Sequence, residues 1–97
     1  ARRAVPWGLT LVRDEYVYVT DLYHAHIQQF RMDGTIVATW GRSGRVAGEF
    51  HYPRGLTWSN GYLYVCDAGN DRIQVFQEED SGISIVRPPK RQRLGSF

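Results

Sequence analysis

The feature that most restricts what this 97-residue chain can fold into is that it nearly repeats itself. Pro6, Gly8, Leu9 and Thr10 return as Pro53, Gly55, Leu56 and Thr57, an offset of 47 residues. YVYVTD (16–21) returns as YLYVCD (62–67) at an offset of 46, followed by HIQQF (26–30) as RIQVF (72–76). Ile36 returns as Ile83, and GEF (48–50) as GSF (95–97), at 47 again. One residue is lost in the turn before the tyrosines and regained after Phe76. A fixed period of this length marks units that are each one supersecondary structure and stack on their neighbours to bury a shared core. The chain therefore divides into residues 1–50 and 51–97, the second unit ending in a basic segment.

Each unit reads as four short strands separated by turn signals. They span about 7–12, 16–21, 26–31 and 35–40 in the first unit, and 54–58, 62–67, 72–77 and 83–87 in the second. Asp33-Gly34 and Asn60-Gly61 are dipeptides suited to two-residue hairpins with positive φ. In the second strand, tyrosines alternate with Val17, Val19, Leu63 and Val65, so both faces are apolar and each sheet must lie between neighbours. One segment opposes this pattern. DLYHAHIQQFRM (21–32) has no Gly or Pro, spaces Leu22, His26, Ile27 and Phe30 nearly helically, and starts on a good N-cap residue. Its counterpart DAGNDRIQVF (67–76) carries Gly69 mid-segment and the β-branched pair Ile73 and Val75, which favours strand-turn-strand. Equivalent units fold alike, so both segments are read as strands.

Charge and cysteine content remove several classes. The formal net charge of +2 hides an asymmetry. Arg2, Arg3, Arg87, Lys90, Arg91 and Arg93 lie in the tails, leaving six arginines against all ten acids between residues 4 and 86, a body charge of −4. Such a body lacks the concentrated basic face that phosphate neutralisation requires, and the tract PPKRQR (88–93) reads as a solvated tail. The single Cys66 excludes an internal disulfide, and no stretch approaches the roughly 20 apolar residues of a membrane helix. ARRAVPW at the start lacks the apolar stretch of a secretory signal, so an intracellular setting is expected over a secreted one.

Four-stranded sheets repeating every 40 to 50 residues with two buried faces are blades of a β-propeller, and the unit resembles the NHL repeat. The resemblance rests on P-x-G-L at the start, Y-V-x-D in the second strand, D-A-G-N-D-R-I-Q-V-F from Asp67 to Phe76, the D-G turn, and WGRSG and GEF before the next proline. It covers about Val5 to Phe97. The first unit departs from it, with Tyr23, His24 and His26 where the second has Gly69, Asn70 and Arg72, and Gln29 in place of Val75. The expected fold class is all-β, with two propeller blades of four antiparallel strands each.

Most conspicuous residues have structural explanations within that frame. Asp21 and Asp67 end the second strand, where a carboxylate accepts backbone N–H groups across the turn and pairs with His26 or Arg72. Phe50, its repeat-mate Phe97, and Trp40 are expected to plug the seam between sheets, with Trp7, Trp58, Phe30 and Phe76 adding apolar area. Cys66, matched by Thr20, reads as a packed small residue. Gly8 and Gly55 supply space where strands crowd together.

His24, His26 and His51 do not read as a metal triad, since the first two fall in or beside a turn, the third lies on another connection, and no carboxylate-rich surround is legible. The resemblance extends to six-bladed amidating lyases that hold zinc through a histidine just after the inner-strand proline, but Trp7 and Arg54 stand there. No Ser-His-Asp spacing, Gly-rich phosphate loop or cysteine pair appears. The expectation is therefore a non-enzymatic binding or scaffold module without metal or cofactor.

Two blades cannot close a ring, so the chain is expected to meet copies of itself, three giving six blades, or further blades of a longer chain. A protein or peptide ligand is favoured. The resemblance also implies single-stranded RNA, which NHL domains of RNA-regulating ubiquitin-ligase-like proteins bind. Contacts would then come from Arg13, Arg42, Arg45 and Arg54, with Tyr23 or Tyr52 stacking a base. A lyase or hydrolase-type enzyme on the same ring is the remaining alternative.

Overall fold

A computed structural model describes residues 3–79 and 82–85. Phe97 and the basic segment from Arg87 lie outside them. The first sheet is formed in chain order by β1 (Pro6–Val12), β2 (Tyr16–Asp21), β3 (His26–Arg31) and β4 (Ile36–Trp40). A two-residue parallel bridge follows, β5 (Arg42–Ser43) with β6 (Glu49–Phe50). The second sheet consists of β7 (Pro53–Ser59), β8 (Tyr62–Asp67), β9 (Arg72–Glu79) and β10 (Gly82–Ile85). Both four-stranded sheets are antiparallel throughout. Among the described residues no helix is long and apolar enough to cross a membrane.

The turns account for the irregular repeat offset. Between β1 and β2, Arg13 and Asp14 both take positive φ (56° and 55°), and Glu15 N–H donates to the Val12 carbonyl at 3.0 Å. In the second unit Asn60 and Gly61 (φ 51° and 84°) alone join Ser59 to its partner Tyr62, the backbone of a type I′ hairpin. The first connection is thus one residue longer, which turns an offset of 47 into 46.

Asp33-Gly34 does not form the two-residue hairpin expected of it. Only Gly34 has positive φ (93°), its N–H donates to the Arg31 carbonyl at 2.9 Å, and Arg31 N–H donates to Thr35 at 2.8 Å. This is a three-residue loop closed by a glycine bulge, and the β3–β4 register shifts beside it, between Gln29 and Phe30.

The segment with helical spacing, 21–32, is a turn followed by β3, as in the second unit. Both turns end on a left-handed residue, Ala25 (φ 55°) before β3 and Asp71 (φ 56°) before β9. Asp71 follows a single 3-10 turn, Ala68–Asn70, and its N–H donates to the Ala68 carbonyl at 3.1 Å.

The two sheets pack face to face, and unlike faces meet. From the first sheet, Val12, Tyr18 and Ile27 enter the interface; from the second, Leu56, Leu63, Val65 and Phe76. The inner strands approach so closely that a Cβ on Gly8 would sit 2.7 Å from the Arg54 carbonyl oxygen. Thr20 Oγ1 donates to that same oxygen at 2.7 Å, and Trp58 N–H donates to Thr10 Oγ1 at 3.3 Å. These cross-sheet bonds fix the alignment of β1 on β7 as apolar contact alone does not.

Phe50, fully buried, closes the bottom of the join against the Phe76 ring, with centroids 5.9 Å apart. Trp40 packs edge-on against Tyr18 at 5.5 Å. Trp7, in contrast, stays 56 % exposed, with the Arg54 side chain of the second sheet over its ring. Truncating Phe50 to Ala should lower unfolding free energy by about 3–5 kcal/mol; a change below about 1 kcal/mol in denaturant titrations would show that its ring is not part of the core.

Candidate functional site

The last residue of the second strand in each sheet is a buried aspartate, and each gathers a polar cluster from the turn that follows. In the second sheet Asp67 Oδ1 accepts the His51 N–H at 2.8 Å. Its Oδ2 accepts from Asn70 Nδ2 at 3.0 Å, Arg72 Nε at 2.9 Å and Gln74 Nε2 at 3.0 Å. The same donors reach beyond the carboxylate to the connection between sheets. Arg72 Nη2 bonds the carbonyls of Val46 and Glu49, both at 3.0 Å, Gln74 Nε2 bonds that of Glu49 at 2.7 Å, and Asn70 bonds that of Gly44 at 2.8 Å. A buried guanidinium is satisfied here on the carboxylate side and the carbonyl side at once, the condition under which a buried ion pair is tolerable.

The first sheet builds the same cluster with different partners. Asp21 Oδ1 accepts N–H groups of Val5 (3.0 Å), Tyr23 (3.1 Å) and His24 (3.4 Å). Oδ2 faces two imidazoles, His24 Nδ1 at 2.6 Å and His26 Nε2 at 3.3 Å. The rings stack on each other with centroids 5.1 Å apart. His26 Nε2 is buried and makes no hydrogen bond. Asp21, His24 and His26 each offer a metal-ligating atom, all within 4.8 Å of one another. His51 stands apart, against Gly69.

Electrostatics follow from this geometry. Burial pushes the Asp21 carboxyl up, but the His24 imidazole and the N–H groups of Val5 and His24 outweigh it and bring its pKa down to about 2. Burial pushes His26 below its ordinary 6.5, with the Asp21 charge opposing and His24 adding to the fall. His26 is therefore neutral near pH 7.

The arginines and tyrosines singled out as a ligand face do not share one surface. Arg13 lies at the β1–β2 turn, paired with Glu15 at 3.3 Å, at the opposite end of the strands from the others. Arg42 is bonded to Glu49 at 2.9 Å, and the Arg54 guanidinium lies 5.3 Å above the Trp7 ring. Exposed Tyr23 packs edge-on against His24, and exposed Tyr52 packs on His51. Arg45 lines a cleft with Ser43, His51, Asn70, Asp71 and Arg72.

Residues 50–76, from Phe50 at the join through β7 and β8 to Phe76 in β9, match the family model described as the NHL repeat. Over these residues the chain is similar to the NHL repeat. The match takes in the whole Asp67, Asn70, Arg72 and Gln74 cluster and stops short of the first unit, where histidines replace Asn70 and Arg72. Within the matched stretch Asp67, through the arginine five residues on, anchors the preceding connection. No curated protein matches the chain.

Both perturbed groups in the first cluster act on stability in one direction. Each has a folded pKa below its unfolded value, so the unfolded chain binds protons more readily and acidification destabilises the fold. Stability should be full above about pH 7, decline first as His26 protonates below its ordinary value near 6.5, and decline again as Asp21 protonates between about 4 and 2. Urea midpoints followed from pH 7.5 to 3 should trace both limbs, and His26→Arg should remove the upper one. A midpoint constant from pH 7.5 to 5 in the unaltered chain would contradict this.

Proposed function

We propose that this chain is a non-enzymatic scaffold and binding module: two blades of a β-propeller whose other blades are of the same kind, supplied by further copies of the chain or by adjoining sequence. The observation that carries the reading is the unequal burial of equivalent residues. Leu9 is 64 % exposed where its counterpart Leu56 is 8 %, whereas Tyr18 is 1 % exposed where its counterpart Tyr64 is 39 %. Val17 and Val19 are half-buried where Leu63 and Val65 are sealed, and Ile73 is half-buried where Ile27 is sealed.

The free face of the first sheet thus has the composition of the face that the second sheet buries, and the reverse holds for the free face of the second. A joint of this head-to-tail kind leaves one unsatisfied copy of each half at the two ends, and it closes on itself when the rotation per unit permits a ring. Closed propellers hold about four to eight blades, and three chains give six.

Gly55 supports the same reading. Gly8 is required by the near approach of Arg54, yet a Cβ at Gly55 meets nothing within 4 Å. The open space beside Gly55 fits another inner strand placed against it, as Arg54 is placed against Gly8. The loop end of such a ring, where the Arg45 cleft opens, suits a protein or peptide partner over RNA, because Arg42 and Arg72 are committed to Glu49 and Asp67 and Asp71 shares the cleft.

Sedimentation of the purified chain at micromolar concentration should give a discrete multiple of 11.2 kDa, three chains for a six-bladed ring. Gly55→Ala should leave the strand content unchanged and shift the chain to smaller species. A folded 11.2 kDa monomer in the unaltered chain would contradict self-assembly.

A further inference from the structure

We propose that Asp21, His24 and His26 form a binding site for a divalent transition-metal ion, with zinc the ion best matched to the donor set. The argument starts from the two versions of one motif within this chain. At Asp67 the buried carboxylate is neutralised by the Arg72 guanidinium 2.9 Å away, and Asn70 completes the set. At the equivalent positions of the first sheet the arginine is His26 and the asparagine is His24. Asp21 is as buried as its counterpart, at 2 % exposure, but its immediate neighbours are two imidazoles in place of a guanidinium and an amide. A motif arranged around a cation has exchanged its fixed cation for two metal-ligating side chains.

The geometry suits that exchange. Three backbone N–H groups hold Asp21 Oδ1, which turns Oδ2 toward both rings. Ligand atoms around a tetrahedral zinc, with bonds of about 2.0–2.1 Å, stand roughly 3.3 Å apart. His26 Nε2 already lies 3.3 Å from Oδ2. His24 Nδ1, at 2.6 Å, has to withdraw by about 0.7 Å as its hydrogen bond to the carboxylate is replaced by coordination. The proton on Nδ1 passes to Nε2, which is the other neutral tautomer.

His26 Nε2 is the second, independent pointer, being a buried ring nitrogen aimed at the carboxylate with no hydrogen bond of its own. Such an atom carries a desolvation cost that a metal bond removes. One carboxylate and two imidazoles leave a fourth position for water or for a group brought by a partner, and nitrogen with oxygen donors suits zinc over magnesium or calcium. The site does not depend on the ring proposed above, since all three side chains come from one turn.

The test uses the full chain, freed of metal with a chelator and exchanged into chelator-free buffer. Zinc chloride titrated calorimetrically should bind at one ion per chain, and cobalt(II) chloride should develop the intense visible bands of a four-coordinate site that zinc then bleaches. The decisive variant is His24→Asn/His26→Arg, which installs the side chains that the same motif accepts at Asp67 and so keeps the fold. It should lose affinity by more than the roughly 10–100-fold that removing a supporting hydrogen bond costs at metal sites. His51→Ala should bind zinc as the unaltered chain does. Equal zinc affinity in the double variant and the unaltered chain, or only the faint bands of six-coordinate cobalt, would overturn the proposal.

Discussion

An antiparallel sheet that carries apolar side chains on both faces has to be covered twice to be buried, and in this chain the two faces differ. One face presents Gly, Thr, Tyr and Ile from alternating positions of the inner strands. The other presents Leu, Val and Phe. The joint between the sheets mates the first kind with the second, and everything else in the structure is arranged to hold that joint. Gly8 lets the inner strands touch, Thr20 and Thr10 bond across them, and Phe50 closes the end. Apolar contact drives the approach, while the hydroxyls fix its alignment.

The connection between the sheets depends on polar chemistry. Residues 44–49 expose several carbonyls to a buried environment, and the second sheet supplies their donors through Asn70, Arg72 and Gln74. Asp67 makes this possible by keeping the guanidinium charge compensated under burial. In the first sheet the same carboxylate is held by backbone N–H groups and imidazoles, so one motif serves as a structural clamp in one unit and as a cluster of ionisable ligands in the other.

Much of the fold is legible in the sequence because the repeat supplies an internal comparison. The strands fall within a residue or two of their expected limits, and the helix-like spacing of 21–32 is overruled by Gly69 in its counterpart. Asp33-Gly34 departs from a two-residue hairpin because the dipeptide alone does not specify whether glycine takes the second turn position or the bulge after it; here the bond from Gly34 to Arg31 decides. The short parallel bridge of β5 with β6 has no periodicity to reveal it. The histidine cluster is legible only in part for a related reason. The sequence places His24 and His26 in or beside a turn and pairs Asp21 with His26 alone; His24 joins them because Ala25 takes a left-handed φ between the two histidines. Aligning His24 and His26 with Asn70 and Arg72 is the signal that locates it.

The central claim is that the outer face of the second sheet is built to be covered by the face kind it meets nowhere within one chain. Cys66 reports on this directly, because it lies on that face and its counterpart Thr20 is fully buried against the neighbouring strand. The rate of Cys66 alkylation, measured under native conditions in the unaltered chain and in Gly55→Ala across a range of protein concentrations, tests it. The account predicts strong protection in the unaltered chain that fades on dilution, and rapid, concentration-independent reaction in the variant. Equal, concentration-independent rates in both would contradict it.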